Sequence, residues 1–193
     1  MTNQAFSKFA VDVSALTSVA TFKCTKNLDY KLAVLRGYRC LNRGGIGLNF
    51  LQNYKNAKKA GYTNIDVHMI PCALRSNCKT PRQQVNELVQ FINTHQIKVQ
   101  RVWLDVEIYL DNWGLDKKRN RQILKEFHAV WKSTGWKFGI YSNFFQWKLI
   151  TGNVNWVLDS SLPLLYVMHD KTPVLNNYRP FGGWTRGTGK QCK

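Results

Sequence analysis

Acidic side chains are scarce in this chain: 11 Asp and Glu stand against 28 Lys and Arg, a formal charge of +17 over 193 residues. A field of that sign and size draws polyanions, in a salt-dependent way, so a negatively charged partner is expected: nucleic acid, anionic lipid or an acidic cell-wall polymer. Long apolar runs are missing as well. The greasiest stretch, Ser161 to Met168, is short and broken by Pro163, against the roughly 18 residues that cross a bilayer, so no membrane span is expected. Pro (5) and Gly (13) are few and 44% of residues are hydrophobic, which excludes collagen-like, low-complexity and disordered chains and predicts one compact domain over residues 1–193. Neither an internal repeat nor a serine or cysteine nucleophile motif is present. No RNP-type or helix-turn-helix pattern accompanies the charge, so a nucleic-acid binder rests on charge alone.

Cysteines are an odd five. Cys72 and Cys78, close together in the turn-like "PCALRSNCKTP", suit a local disulfide, and with no second pair nearby and four His in the chain no metal site is expected. A disulfide implies an oxidising compartment. Met1 to Ser7 has neither the basic start nor the apolar core of a signal peptide, so the expectation is the mature form of a secreted protein, with a cytosolic protein of free thiols as the rival.

Short β-branched runs alternate with longer amphipathic ones. Strands are predicted over Phe9–Val13, Leu32–Tyr38, Asn64–Ile70, Val99–Val106, Lys137–Tyr141 and Leu162–Met168. Helices are predicted over Asn49–Ala60, over Thr80–His95 with its Thr-Pro start, and over Lys117–Thr134 ahead of Gly135. Strand followed by helix, repeated, predicts a parallel sheet. No dinucleotide or phosphate-loop glycine pattern follows the first strand, which favours a closed barrel over an open doubly wound sheet. Helical periodicity stops after Ser160. The expected fold is therefore α/β, an irregular TIM-like barrel of about five β/α units followed by helix-free strands.

Parallel barrels carry their chemistry at the C-terminal strand ends. Asp12 closes "FAVDVS", and Asp105 and Glu107 close "RVWLDVE". Residues two apart on a strand share a face, so Asp105 and Glu107 point one way and Leu104 and Val106 the other. With Asp12 converging on them, repulsion keeps one proton bound near neutral pH. A protonated carboxyl beside an ionised one is what glycosidic cleavage requires.

The segments "DVS", "NAKKAG", "IDVHMIPC", "VWLDVE", "GIYSNFFQWKLITG", "LPLLYVMHDKTP", "YRPFGGW" and "GKQ" follow one another in an order and spacing that resembles the glycoside hydrolase family 25 lysozymes, in the forms found in invertebrates and amoebae. The resemblance runs from Phe9 to Gln191. It implies an irregular barrel, no cofactor, and cleavage of the β-1,4 bond between N-acetylmuramic acid and N-acetylglucosamine in bacterial peptidoglycan. It implies Glu107 as the acid, Asp105 as its partner in a substrate-assisted retaining mechanism, and Asp12 as the residue that orients the pair or binds substrate. Tyr38, Tyr141 and Tyr166 match its aromatic pocket positions, Asp170 an acidic position after the sixth predicted strand, and Trp184 is the candidate for the cleft rim. Cys24 and Cys40 would both lie near the top of such a barrel, where a bridge depends on their separation.

Leu165 stands where the family has Trp, and Met168–His169 replace a polar and aromatic pair. Family members continue into a last strand bearing another acidic residue, and the ending "GKQCK" is expected to supply neither, leaving Cys192 without a partner. His68 is expected to be a packed residue, while His169 lies nearer the cleft. The expected protein is a monomeric, secreted or lysosomal/phagosomal, bacteriolytic muramidase, held on walls by the Lys55–Lys59 and Lys117–Arg121 clusters. The alternative is a non-catalytic cationic wall-binding or antimicrobial protein on the same scaffold. A chitinase is disfavoured, because Val99, Arg101 and Trp103 stand where its acidic run would be.

Overall fold

The computed structural model of the chain describes residues 9–41, 43–74, 77–109, 112–168, 170 and 175–192. In chain order these form β1 (Phe9–Val13), α1 (Val19–Asn27), β2 (Tyr30–Arg39), β3 (Gly45–Ile46), α2 (Phe50–Lys59), β4 (Asn64–Met69), α3 (Pro81–Thr94), β5 (Val102–Asp105), α4 (Lys117–Thr134), β6 (Phe138–Ser142), α5 (Phe144–Thr151), β7 (Leu164–Met168) and β8 (Gly189–Cys192). The strands lie in the order β1-β2-β4-β5-β6-β7-β8, all neighbours parallel, with β3 folded back antiparallel on β2. The sheet curls into a TIM-like half-barrel with the helices outside. Its edges meet through side chains, Gln191 of β8 donating from Nε2 to Asp12 Oδ2 of β1 at 3.1 Å. Among the described residues no backbone ladder joins those two strands.

Local chemistry explains the helix ends. Thr80 and Gln83 form a reciprocal capping box ahead of Pro81 on α3. Asp116 accepts from the Lys118 and Arg119 amides to start α4, and Gly135, at φ 71°, ends it. Two further helices escape the sequence reading. In α1 the one buried residue is Phe22, so it carries no stripe to detect. In α5, Trp147 and Ile150 are buried while Phe145 and Leu149 are half exposed, so apolar residues surround the axis.

The last strand corrects an expectation. Gly189–Cys192 is itself that strand, paired with β7 through Tyr166↔Lys190 and Val167↔Gln191. It is short and carries Lys190 and Gln191 in place of a β-branched run, so strand propensity does not reveal it.

Alternation along the strands separates two environments. Ala33, Leu35, Ile65, Val67, Leu104 and Ile140 pack outward beneath the helices in the main core. Val34, Trp103, Tyr141 and Val167 form a smaller inner cluster with Leu32 and Leu165. Inside the curl, neighbouring strands align Asp12↔Val34↔Asp66 and Arg36↔His68↔Trp103. Gly139 keeps that interior open for Trp103, since a Cβ there would lie 2.6 Å from the indole.

Cys72 and Cys78 are joined by a disulfide. Cys24 and Cys40 are not joined: Cys24 is exposed in the last turn of α1, close to the start of β2, whereas Cys40 is buried just past the far end of that strand. They lie toward opposite ends of the barrel, which corrects their expected proximity.

Candidate active site

At the C-terminal mouth of the curl, inward side chains from five strands converge. His68 of β4 lies between two carboxylates, Nε2 3.6 Å from Asp12 Oδ1 and Nδ1 3.6 Å from Asp105 Oδ2. Its ring stacks on Tyr141 at 6.0 Å between centroids. The Tyr141 hydroxyl donates to Gln191 Oε1 and lies 3.4 Å from Asp12 Oδ2. Gln191 therefore links β6, β8 and β1 through one side chain.

Burial sets the electrostatics. Asp105 is 6% exposed, and among the described residues its Oδ1 has no hydrogen-bond partner. Burial pushes its carboxyl above the usual range, the Asp12 charge adds to that, and His68 and Arg36 oppose it. Tyr141 is likewise raised, by burial first and then by the charges of Asp12, Asp105 and Glu107, so all three carboxylates act on one phenol. Glu107 is half-buried, two residues beyond Asp105. Its backbone is held in place by neighbours: Asn112 Nδ2 donates to the Glu107 carbonyl at 3.1 Å, and the Ile108 amide donates to Gln146 Oε1 at 2.9 Å. Arg36, its guanidinium 5.3 Å from the Tyr109 ring, adds a cation on the β2 side.

Asp12, Asp105, Glu107 and Tyr141 are thus brought together. Tyr38 and Tyr166 are not. A bulge between Arg36 and Tyr38 puts Gly37 against Val67 and Leu88, and Tyr38 turns outward to donate to Glu87 Oε2 of α3 at 2.9 Å. Tyr166 lies at an outward position of β7, packed edge-on against Tyr178 at 4.9 Å. Trp184 is buried rather than at a rim, T-shaped on Trp147 at 5.2 Å and donating from Nε1 to the Leu162 carbonyl. Asp170 pairs with Lys190 at 2.7 Å. His169 and the Cys192 side chain lie outside the described residues.

Sequence reasoning missed His68, Arg36 and Gln191 as members of the cluster. A signal existed for His68: Ile65, Val67 and Met69 are apolar while Asn64, Asp66 and His68 alternate with them, marking a polar inner face. A separate cavity of about 870 Å³ opens at the opposite end, lined by Asp66, Lys98, Arg101, Trp136 and Lys137 among others, and by none of Asp12, Asp105 and Glu107. Among the described residues no group of His, Cys, Asp and Glu has the arrangement of a metal site.

A protonated carboxyl, an ionised one and a flanking phenol in a partly dry mouth can exchange a proton with an oxygen and stabilise an adjacent cation. Comparison with known proteins narrows this. A family model described as Lysozyme-like protein 1 matches residues 3–192. Lysozyme-like protein 5 of Caenorhabditis elegans is 33% identical over 92% of this chain and 80% of its own length. Probable GH family 25 lysozyme 5 of Dictyostelium discoideum is 32% identical over 98% and 85%. The catalytic domain of endolysin ply40, from bacteriophage P40 of Listeria monocytogenes, shares the fold with a TM-score of 0.61 over 93% of this chain and 84% of that one, at 14% identity.

Proposed function

Because the chain belongs to the lysozyme-like protein family, with glycoside hydrolase family 25 lysozymes among its relatives, we propose that it is a muramidase, cleaving the β-1,4 bond between N-acetylmuramic acid and N-acetylglucosamine in bacterial peptidoglycan. The observation that carries this reading is the meeting of Asp12 and Asp105 on either side of His68 beside Tyr141 at the barrel mouth, with Glu107 two residues beyond Asp105.

In this reading the Glu107 carboxyl donates its proton to the glycosidic oxygen as the C1–O bond breaks, and the muramic acetamido oxygen bonds to C1. Asp105 stabilises the positive charge of the resulting ring. Glu107, now a carboxylate, takes a proton from water while the water oxygen bonds to C1 and reopens the acetamide, so configuration is retained. Asp12 and Tyr141 hold the pair and its substrate. No cofactor enters.

The charge suits the same task. Lys55, Lys58 and Lys59 of α2 and Lys118 and Arg119 of α4 are exposed, two patches able to hold a monomeric, secreted or lysosomal/phagosomal enzyme on anionic wall polymers. A second reading, a wall-binding protein without catalysis, is favoured by one observation: β8, Gly189–Cys192, carries no acidic residue and meets Asp12 through the neutral Gln191, whereas the family resemblance implies a last strand that bears an acid.

The two readings part in one assay. Wild type and Glu107→Gln are incubated with purified peptidoglycan and the released fragments analysed by mass spectrometry for new reducing ends. Muramic acid reducing ends from wild type alone support the enzyme. No release from either protein, with both still pelleting with the walls, supports the binder.

A further inference from the structure

Among the groups at the mouth to which the mechanism above gives no task, His68 is the one aimed at two carboxylates. His68 is 3% exposed. Both its ring nitrogens are shielded from solvent and, among the described residues, have no hydrogen-bond partner within normal range, yet each is aimed at a carboxylate oxygen 3.6 Å away. A neutral imidazole can donate from one nitrogen only, which would leave a lone pair turned toward an anion. The imidazolium donates from both, and matches a carboxylate on either side.

We propose, building on the muramidase reading, that His68 is a positioning residue whose protonated ring is clamped between Asp12 and Asp105 and keeps Asp105 ionised beside Glu107. The groups around the ring set the balance. Asp12 comes from β1, Arg36 from β2, Asp66 from β4 itself, Asp105 and Glu107 from β5 and the residues after it, and Tyr141 from β6. The inward residues Leu165 and Val167 of β7 and Gln191 of β8 are uncharged. Asp66 is already engaged by the Trp103 indole at 2.9 Å. That leaves Asp12, Asp105 and Glu107 with Arg36 as their other cation, too little to keep a dry Asp105 charged once the proton on His68 is gone. The role assigned to Asp105, stabilising a cationic ring, needs that charge.

The consequence is directional. Without the positive charge of the imidazolium beside it, Asp105 keeps a proton from solvent to higher pH, and the acid limb of activity moves up. In His68→Gln, kcat/KM on peptidoglycan is expected to fall roughly tenfold on the acid side, with the limb displaced by about one pH unit, the scale of an opposite charge at such a distance, and with recovery above it. A uniform loss at every pH with an unmoved limb would assign His68 a packing role and overturn the proposal.

Two measurements need neither substrate nor activity. The ¹⁵N shifts of His68 in wild type are expected to report an imidazolium at pH 5, and a neutral ring there contradicts the proposal even if the variant does not fold. The ¹³C carboxyl titration of Asp105 is expected to move upward in His68→Gln, and coincident titrations in the two proteins likewise contradict it. Wild type that releases no muramic acid ends would sink the muramidase reading alone, whereas an unmoved Asp105 would sink this proposal alone.

Discussion

One sheet presents two chemistries. Its outer face meets the helices through Val67, Leu104, Ile140 and Tyr166, together with a stack in which Trp147 touches Trp156, Phe181 and Trp184. Its inner face is narrow and holds Asp12, Asp66, His68, Asp105 and Tyr141. Outside, dispersion and burial do the holding and polar groups are few. Inside, burial raises carboxyls and a phenol and leaves ring nitrogens unsatisfied. Stability and chemistry are thus divided by side-chain parity, one residue apart on each strand.

The outer face should break first in stability. Trp147 is fully buried and its indole donates to the Trp156 carbonyl at 3.0 Å. Trp147→Ala is expected to cost about 3–5 kcal/mol in urea unfolding. A cost below about 1 kcal/mol would mean the stack is not what anchors α5.

On the inner face the largest effect falls on activity. Glu107→Gln is expected to lower hydrolysis by on the order of a hundredfold or more, about 2.7 kcal/mol or more of barrier, while leaving the urea midpoint unchanged. Equal loss of stability would make Glu107 a structural residue.

A charge on the outer side gives a test with the opposite dependence. Asp159 lies against His128 at 2.8 Å and Lys132 at 3.6 Å. Burial would raise its carboxyl, but hydrogen bonds from Ser161 and His128 outweigh it and hold it at about 2. Because the folded value lies below the unfolded one near 4, its contribution is complete above about pH 4 and is lost as pH falls toward 2. Asp159→Asn is therefore expected to cost about 2 kcal/mol at pH 6 and nearly nothing at pH 2, read from urea midpoints at the two pH values. A cost that does not change with pH would assign the effect to packing.

Much of the fold is legible in the chain. The first strand and α4 have the bounds their patterns predict, because a β-branched run and a capped amphipathic stripe are local signals. Alternation pairs Asp105 with Glu107, but Glu107 lies past the end of β5 at Asp105, and it is the order of the surrounding segments, through the family resemblance, that singles the pair out. What is not legible depends on distant partners. Tyr38 faces outward because of a bulge at Gly37 that only the β4 register reveals. Gln191 acquires a role when β8 curls round to Asp12, 179 residues away in the chain. Cys24 and Cys40 separate because α1 runs down the barrel while β2 runs back up it.

The tyrosines test the division between faces most directly, since family resemblance treats them alike and parity does not. Steady-state kcat/KM on one peptidoglycan preparation would be measured for Tyr141→Phe beside Tyr166→Phe. The account predicts a loss of about tenfold for Tyr141→Phe, the scale of one hydrogen bond to a charged group, and wild-type activity for Tyr166→Phe. Equal losses, or a loss confined to Tyr166→Phe, would contradict it and place the working site elsewhere.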